Sequence, residues 1–435
     1  LSWPVLLMSQ KLIEVRFTGD VRLWGGYAAT AVLGVLLALF AGVLLLRRDK
    51  ERGAAYRHPR WQEAMILGVS TALLLANLWS EKLYGYTMVV QFGHALQWRL
   101  SLLAVWLAVA ITLWRTQATS GMYALAICGL IAATRVSSLV VDPGNVNGGD
   151  MLSNIDRVFG LLLQGQFPYV DEPPPAMPYW PATLLVYLPA RLIGCDLRWT
   201  NVVLEVATAL IALVPCFTRQ KRAAIVDYLV PMMMLVPIWT HYGINTQYAP
   251  TVLVAVLFGQ AVLRSGLNIQ GCTLGLAVAT SQMFGLFGVC IGPWWWRNFG
   301  LRSAIMATIV SLIVCLAWVG PFLAWDSREF CRVTLESLDA IPDSQLAGRV
   351  TLRPLLVSMH PRLPLALALS AMGGVALLNV RYRLSRRAIV VALALAFYVV
   401  LILLHRTFTH YYLPVFALLA LSPQVSCDTT TQSTS

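Results

Sequence analysis

Residues 142–180 read DPGNVNGGDMLSNIDRVFGLLLQGQFPYVDEPPPAMPYW and hold five carboxylates: Asp142, Asp150, Asp156, Asp171 and Glu172. Met151, Ile155, Val158, Phe159 and Leu162 recur at helical spacing, with Asn154, Asp156 and Arg157 off that face. The pattern predicts an amphipathic helix over 151–164 lying in a membrane interface. Gly148-Gly149-Asp150 is its start signal and Gly165 its stop. Asp150 then stands at the helix N-terminus, where free backbone N–H groups and the helix dipole favour the ionised carboxylate. Such a group caps the helix, worth about 1 kcal/mol. Set beneath a Gly-Gly turn that admits a substrate, it can also act as general base toward a hydroxyl nucleophile. Asp171-Glu172 leads into Pro173-Pro174-Pro175, a stiff segment that would hold two carboxylates near the same place; solvated turn charges fit equally well. Asp142, ahead of Pro143, reads as a turn former, and Asp156, beside Arg157, as a solvated helix-face charge.

The elements that position this segment must be membrane helices. The 435-residue chain is 58% hydrophobic and 12% charged, against about 25% charged in soluble domains, which excludes a soluble globular protein. Apolar runs of roughly 20 residues, enough to cross a bilayer, recur from Leu23 almost to the C-terminus. They fall at 23–46, 63–79, 99–114, 121–141, 201–217, 223–238, 248–264, 303–325, 363–380, 387–404 and 411–421. The net charge of +12 does not point to nucleic acid, because Lys and Arg sit in short clusters between the runs, as at Arg47-Arg48-Asp49-Lys50-Glu51-Arg52. That is the positive-inside pattern. Eight cysteines are scattered without CxxC or metal spacing, so neither zinc nor a disulfide framework is indicated. Residues 1–21 are too polar for a signal peptide.

Two further apolar stretches, 180–194 and 270–294, decide the topology. If both cross once, there are about 13 crossings and Arg219-Gln220-Lys221-Arg222 falls outside. If 180–194 is a half-helix that starts at Pro181, breaks at Pro189 and returns, and 270–294 is a re-entrant pair, about 11 spans keep every basic cluster inside. The second arrangement is preferred. It places a cavity on the outer side, since broken helices at membrane depth need protein or water to satisfy their backbone. Function is then sought in two long external segments, 142–180 and 326–362. Residues 1–421 read as one all-α transmembrane domain and 422–435 as a disordered tail. Trp294-Trp295-Trp296-Arg297 reads as an interfacial aromatic belt.

An aspartate opening an interfacial helix, then Gly165-Gln166-Phe167-Pro168-Tyr169, a proline-rich turn, Tyr179-Trp180-Pro181 and Pro189, resembles the first external loop of GT-C glycosyltransferases. The likeness is closest to the bacterial branch that includes polyprenol-phosphate-mannose-dependent mannosyltransferases. It is good over 150–190 and loose elsewhere. Gly243-Ile244-Asn245-Thr246-Gln247 resembles that branch's polar external turn, and His410-Tyr411-Tyr412 with Pro414 its C-terminal end. The resemblance implies a GT-C-like bundle in the cytoplasmic membrane. It also implies inverting transfer of a sugar from a polyprenyl-phosphate donor to a glycan, glycolipid or protein acceptor, with Asp150 as catalytic base. Tyr169, Asp171, Glu172, Tyr179, Asn245, Gln247, His410 and Tyr411 are then substrate-binding candidates. Two features depart from the family: three extra spans precede the helix entering 142–180, and Gln282 stands where many relatives carry Lys.

Such a reaction needs cations for the departing phosphate. Arg349, Arg353, His360 and Arg362 in the second external segment, and His405-Arg406 at another external turn, are the candidates, because Arg presents a planar fork suited to phosphate. Snorkelling to lipid headgroups explains any one of them equally. Arg349 and Arg353 lie four apart and would share a face if the chain is helical up to Pro354. Arg135 lies inside a span, where a charge is costly and functional by default, unless it is paired structurally. No D-x-D occurs in 142–180 and no nucleotide-binding or zincin motif elsewhere, so neither a cofactor nor a metal is expected, although a divalent cation stays open. The alternative reading is a transporter or lipid flippase, since broken helices and an intramembrane Arg also mark translocation paths.

Overall fold

The computed structural model describes residues 61–80, 92–141, 150–169, 179–218, 225–236, 239–240, 243–244, 246–336, 351, 353–360, 362–403 and 409–427. Every regular element among them is helical. Among the described residues the chain divides into two compact units, one within Tyr56–Gln260 with the C-terminal segment from Pro423, and one within Ala261–Ser422.

In the unit Tyr56–Gln260, α1 (Trp61–Ser80) packs on α2 (Phe92–Thr116), α2 on α3 (Ser120–Val141), and α3 on α7 (Arg198–Ala212). Between α3 and α7 come α4 (Asp150–Leu163), α5 (Pro181–Leu185) and α6 (Leu188–Leu192). The fully buried Tyr123, Ala124, Ile127 and Ile131 follow helical spacing on the inner face of α3. Trp106 Nε1 donates to Thr71 Oγ1 at 2.9 Å and ties α2 to α1. Pro215 lacks an N–H and constrains the residue ahead of it, so α7 breaks at Leu213 and the chain resumes as α8 (Val214–Thr218), followed by α9 (Leu229–Met234) and α10 (Tyr248–Arg264). The break leaves the Ala212 carbonyl in need of a donor. Gln424 supplies one from Nε2 at 3.1 Å, and its Oε1 accepts from Gln260 Nε2 at 2.9 Å. A 3₁₀ turn therefore runs over Ser422–Cys427 with Gln424 buried, where the sequence had placed the start of a disordered tail.

In the unit Ala261–Ser422, α11 (Leu267–Thr280) lies along α13 (Leu301–Cys331), and α12 (Gly285–Phe299) packs on α13, α15 (Leu363–Arg381) and α16 (Arg386–Leu403). The short α14 (Arg353–Met359) precedes α15, and α17 (Leu413–Leu421) follows α16. Gly271 and Gly275 let the α11 and α13 backbones touch. A Cβ at Gly271 would sit 2.5 Å from the Ala307 carbonyl oxygen, and one at Gly275 2.3 Å from that of Ser311. This is small-residue packing of the kind that holds helices together in lipid.

The apolar stretches of the sequence coincide with helices wherever they are described. Among the described residues four helices are long and apolar enough to cross a membrane by length and composition: Ser120–Leu139, Leu301–Thr334, Leu363–Arg381 and Arg386–Leu403. Both ambiguous stretches are broken. Residues 181–192 form two five-residue helices whose break falls at Val186 and Tyr187, ahead of Pro189. Pro189 itself sits in the first turn of α6, where its missing N–H costs no bond. Over 270–294, α11 ends at Thr280, Ser281 is extended (φ −153°, ψ 126°), and a 3₁₀ turn Gln282–Phe284 leads into α12.

Two sequence expectations are corrected. Trp294 and Trp295 are not an interfacial belt but buried packing residues. Their indole N–H groups donate to the Leu384 carbonyl at 2.8 Å and to Gln270 Oε1 at 2.7 Å, and Trp296 alone, at 52%, is exposed. Helix α13 also continues beyond 325 to Cys331. Its backbone departs from helix at Asp326 (φ −152°, ψ 91°), whose Oδ1 accepts from the Glu329 N–H at 3.0 Å and so caps the last turn.

Candidate functional site

The helix expected after the Gly-Gly turn is α4, and it starts at Asp150 itself, one residue earlier than the pattern indicated. Leu152, Ile155, Val158 and Phe159 are buried on one face, while Asp156 and Arg157 are partly exposed on the other. Gly165 ends it at φ 72°, with its N–H on the Leu162 carbonyl at 3.0 Å and the Gln166 N–H on that of Leu161 at 2.9 Å. The side chain of Asp150, and the whole of Asp142, Asp171 and Glu172, lie outside the described residues. Tyr169 is fully buried, and its hydroxyl donates to the Tyr179 carbonyl at 2.9 Å, which fixes the two ends of the Pro-rich turn to one another. Burial pushes the Tyr169 phenol well above its ordinary value, so it remains a protonated donor at neutral pH.

A chain of polar contacts leads away from α4. Asp156 pairs with Arg191 of α6 at 3.1 Å, with both side chains partly exposed. Tyr187, between α5 and α6, donates to Asn201 Oδ1, and Asn201 Nδ2 donates to the carbonyls of Ile244 at 2.7 Å and Thr246 at 2.8 Å. Asn201 thus clamps the polar turn that ends in Gln247. Ile244 also packs against Leu139 near the end of α3 and Val202 of α7. At the start of α7, Asp196 accepts from the Arg198 N–H at 2.9 Å and from its guanidinium at 2.6 Å. Burial pushes the Asp196 carboxyl up, but the hydrogen bonds and charge of Arg198 outweigh it and hold the group below its ordinary value.

Arg135 of α3 is wholly inaccessible, and every guanidinium nitrogen is engaged. Nε donates to Glu205 of α7, Nη1 to Thr240 Oγ1 at 2.7 Å, and Nη2 to the Met234 carbonyl. Glu205 also accepts from Trp239 Nε1 at 3.1 Å. Gly243 borders the pair so closely that a Cβ there would lie 1.8 Å from Glu205 Oε1. Sequence reasoning singled out Arg135 and read Gly243 only as part of the polar turn, and it missed Glu205, Asn201 and Trp239. The available signal was Glu205 itself, the one acidic residue in the run 201–217.

The remaining candidates belong to the other unit or lie outside the described residues, as Arg349, His405, Arg406 and Asn245 do. Arg353 opens α14 and its N–H donates to Thr351 Oγ1 at 3.1 Å. Helix therefore begins at Arg353 rather than running up to Pro354, so the one-face argument for Arg349 and Arg353 fails. Proline in a first turn starts a helix instead of ending one. The His410 backbone lies in a 3₁₀ turn, Thr409–Tyr412, with Tyr411 half-buried and Tyr412 buried beside Tyr398, ring centroids 5.4 Å apart. Gln282 Nε2 reaches the Thr334 carbonyl at 3.4 Å, and His360 and Arg362 are exposed.

Among the described residues no group of three His, Cys, Asp or Glu side chains could hold a metal ion. Fold and composition define the class, an all-helical membrane protein. Neither family models, nor curated proteins, nor solved structures match the chain.

Proposed function

We propose that the chain is a GT-C-type glycosyltransferase that moves a sugar, mannose or another hexose or pentose, from a polyprenyl-phosphate donor to an acceptor hydroxyl on the outer face of a bacterial cytoplasmic membrane. The observation that supports it is α4, a short helix with a buried apolar face that opens on Asp150 and ends at Gly165. The return through Tyr169 and Tyr179 to Pro181 keeps the order of the resemblance.

In this reading the Asp150 carboxylate, favoured as the anion at a helix N-terminus, takes the proton of the acceptor hydroxyl. The acceptor oxygen bonds to C1 of the sugar from the face opposite the phosphate. The C1–O bond breaks, its electron pair leaves with the lipid phosphate, and the configuration inverts. The departing phosphate calls for cationic side chains, and the polyprenyl tail stays in the bilayer. The reading requires no divalent ion.

Asp150→Asn tests it, because Asn keeps the size and polarity of the side chain at the helix N-terminus but cannot accept the proton. Transfer of sugar to acceptor should fall roughly 100-fold or more with little change in thermal unfolding. Asp156→Asn should transfer normally, since it loses only a partly exposed pair with Arg191. Wild-type turnover by Asp150→Asn would overturn the assignment of Asp150 as the base.

A further inference from the structure

Among the described residues, arginines of the unit Ala261–Ser422 gather at one end of its helices. Helices α11 and α13 run side by side in the same direction, Gly271 against Ala307 and Gly275 against Ser311, so both begin at that end. There α12 finishes with Arg297 in its last turn, and Arg302 follows in the first turn of α13. The turn between α15 and α16 is drawn to the same place. Trp294 holds its Leu384 carbonyl at 2.8 Å, and Arg386 Nη1 donates to the Ser265 carbonyl, just ahead of α11, at 3.3 Å. That turn adds Arg381, Arg383, Arg386 and Arg387. The acids of the unit lie elsewhere, since every Asp and Glu of 261–422 falls within 326–343. From Arg302 to Asp326, α13 rises about 36 Å at about 1.5 Å per residue, several times the screening length of about 8 Å at physiological salt. Three of the arginines also oppose the helices they open. Arg302, Arg386 and Arg387 stand in first turns, where the helix dipole favours anions and disfavours cations.

We propose that this end of the unit binds anionic phospholipid headgroups of the cytoplasmic leaflet. Apolar side chains stand exposed among the arginines: Trp296 at 52%, Leu301 at 58% and Tyr382 at 53%. The Arg381 guanidinium lies over the Tyr382 ring, 5.8 Å from its centroid. A phospholipid answers both features in one molecule, with a phosphate for the guanidinium forks and acyl chains for the apolar surface beside them. A nucleic acid or a soluble acidic protein supplies only the charge. Basic pockets between membrane helices take anionic headgroups in this way. A headgroup phosphate also relieves the conflict at the first turns of α13 and α16, by bringing the negative charge that those helix ends favour. This binding is separate from glycosyl transfer and stands whether or not that reading holds.

The test is thermal unfolding of the purified full chain in neutral detergent, with phosphatidylglycerol, phosphatidylcholine, soluble glycerol phosphate or a single-stranded oligonucleotide added. Phosphatidylglycerol should raise the wild-type unfolding temperature by at least about 3 °C, and each other addition by less than about 1 °C. The rise should shrink in 0.5 M salt, roughly the range where surface charge is screened within a few ångströms. Arg302 and Arg383 are exposed, so Arg302→Gln with Arg383→Gln should unfold as wild type in detergent alone but lose about half or more of the rise. Arg302→Lys with Arg383→Lys keeps the charge and should keep most of it. Arg328→Gln, exposed at the acidic end of α13, should keep all of it. Equal rises with the two phospholipids, a full rise in the paired glutamine variant, or an equal loss in Arg328→Gln would overturn the proposal. So would a matching rise with glycerol phosphate or the oligonucleotide, which would assign this end to a soluble anion instead.

Discussion

Glu205→Leu is the perturbation whose magnitude follows most directly from the structure. It removes the carboxylate from a wholly buried arginine and leaves the Arg135 guanidinium with only the Thr240 hydroxyl and the Met234 carbonyl. Breaking a buried ion pair from one side costs about 3–5 kcal/mol, and Trp239 Nε1 loses its acceptor for about 1 kcal/mol more. Arg135→Met combined with Glu205→Leu removes both charges and keeps apolar volume, so the double variant should recover to within about 1–2 kcal/mol of wild type. A double-mutant cycle read by unfolding in detergent then gives a favourable coupling of at least about 2 kcal/mol. Gly243→Ala adds a third arm. Its Cβ would fall 1.8 Å from Glu205 Oε1, so it should destabilise wild type but lose most of that effect in a Glu205→Ala background. A loss below about 1 kcal/mol for Glu205→Leu, or single losses that simply add in the double variant, would refute this account of the pair.

Gly275→Val should separate α11 from α13, because its side chain would enter a space where a Cβ alone is 2.3 Å from the Ser311 carbonyl oxygen. The expected result is a loss of more than about 2 kcal/mol in detergent unfolding, and unchanged stability would refute it. Asp196 gives a pH test with a definite sign. Its carboxyl is held below the ordinary value in the folded chain, so its stabilisation is present above the unfolded pKa, about 4, and is lost as pH falls through the lower folded value. Asp196→Asn should therefore lower stability at pH 7 by about 1–3 kcal/mol, since the buried Arg198 loses the charge it is bonded to. The difference from wild type should shrink as pH falls below about 4, and a difference that grows on acidification would reverse the sign argued here.

Periodicity and composition locate the helices because lipid imposes a length and an apolar character on each span, and α3, α15 and α16 fall within a few residues of where the pattern placed them. Breaks are legible as breaks where proline or a polar residue interrupts a run, as at Pro189 and Ser281, but their register depends on which turn accommodates the proline. Partners are not legible. Trp294 and Trp295 have the composition of an interfacial belt, and only Leu384 and Gln270, brought up by tertiary packing, show that their indoles are buried. Likewise Arg135 announces a buried charge, while its counter-charge lies 70 residues further on. Asp150 was legible as the first turn of a helix, and the clamp of Asn201 on the 244–246 turn was not, because it pairs a side chain with backbone groups that no pattern marks.

That separation along the chain orders events during synthesis. Arg135 lies in α3, one of the apolar helices long enough to cross a membrane, and it leaves the ribosome 70 residues before Glu205. At roughly 5–20 residues per second the interval is about 4–14 s. Through that time the arginine has no carboxylate and faces the cost of lone charge in lipid. That cost favours holding nascent α3 at the translocon or in the headgroup region until α7 arrives, so that the two helices enter the bilayer as a neutral couple.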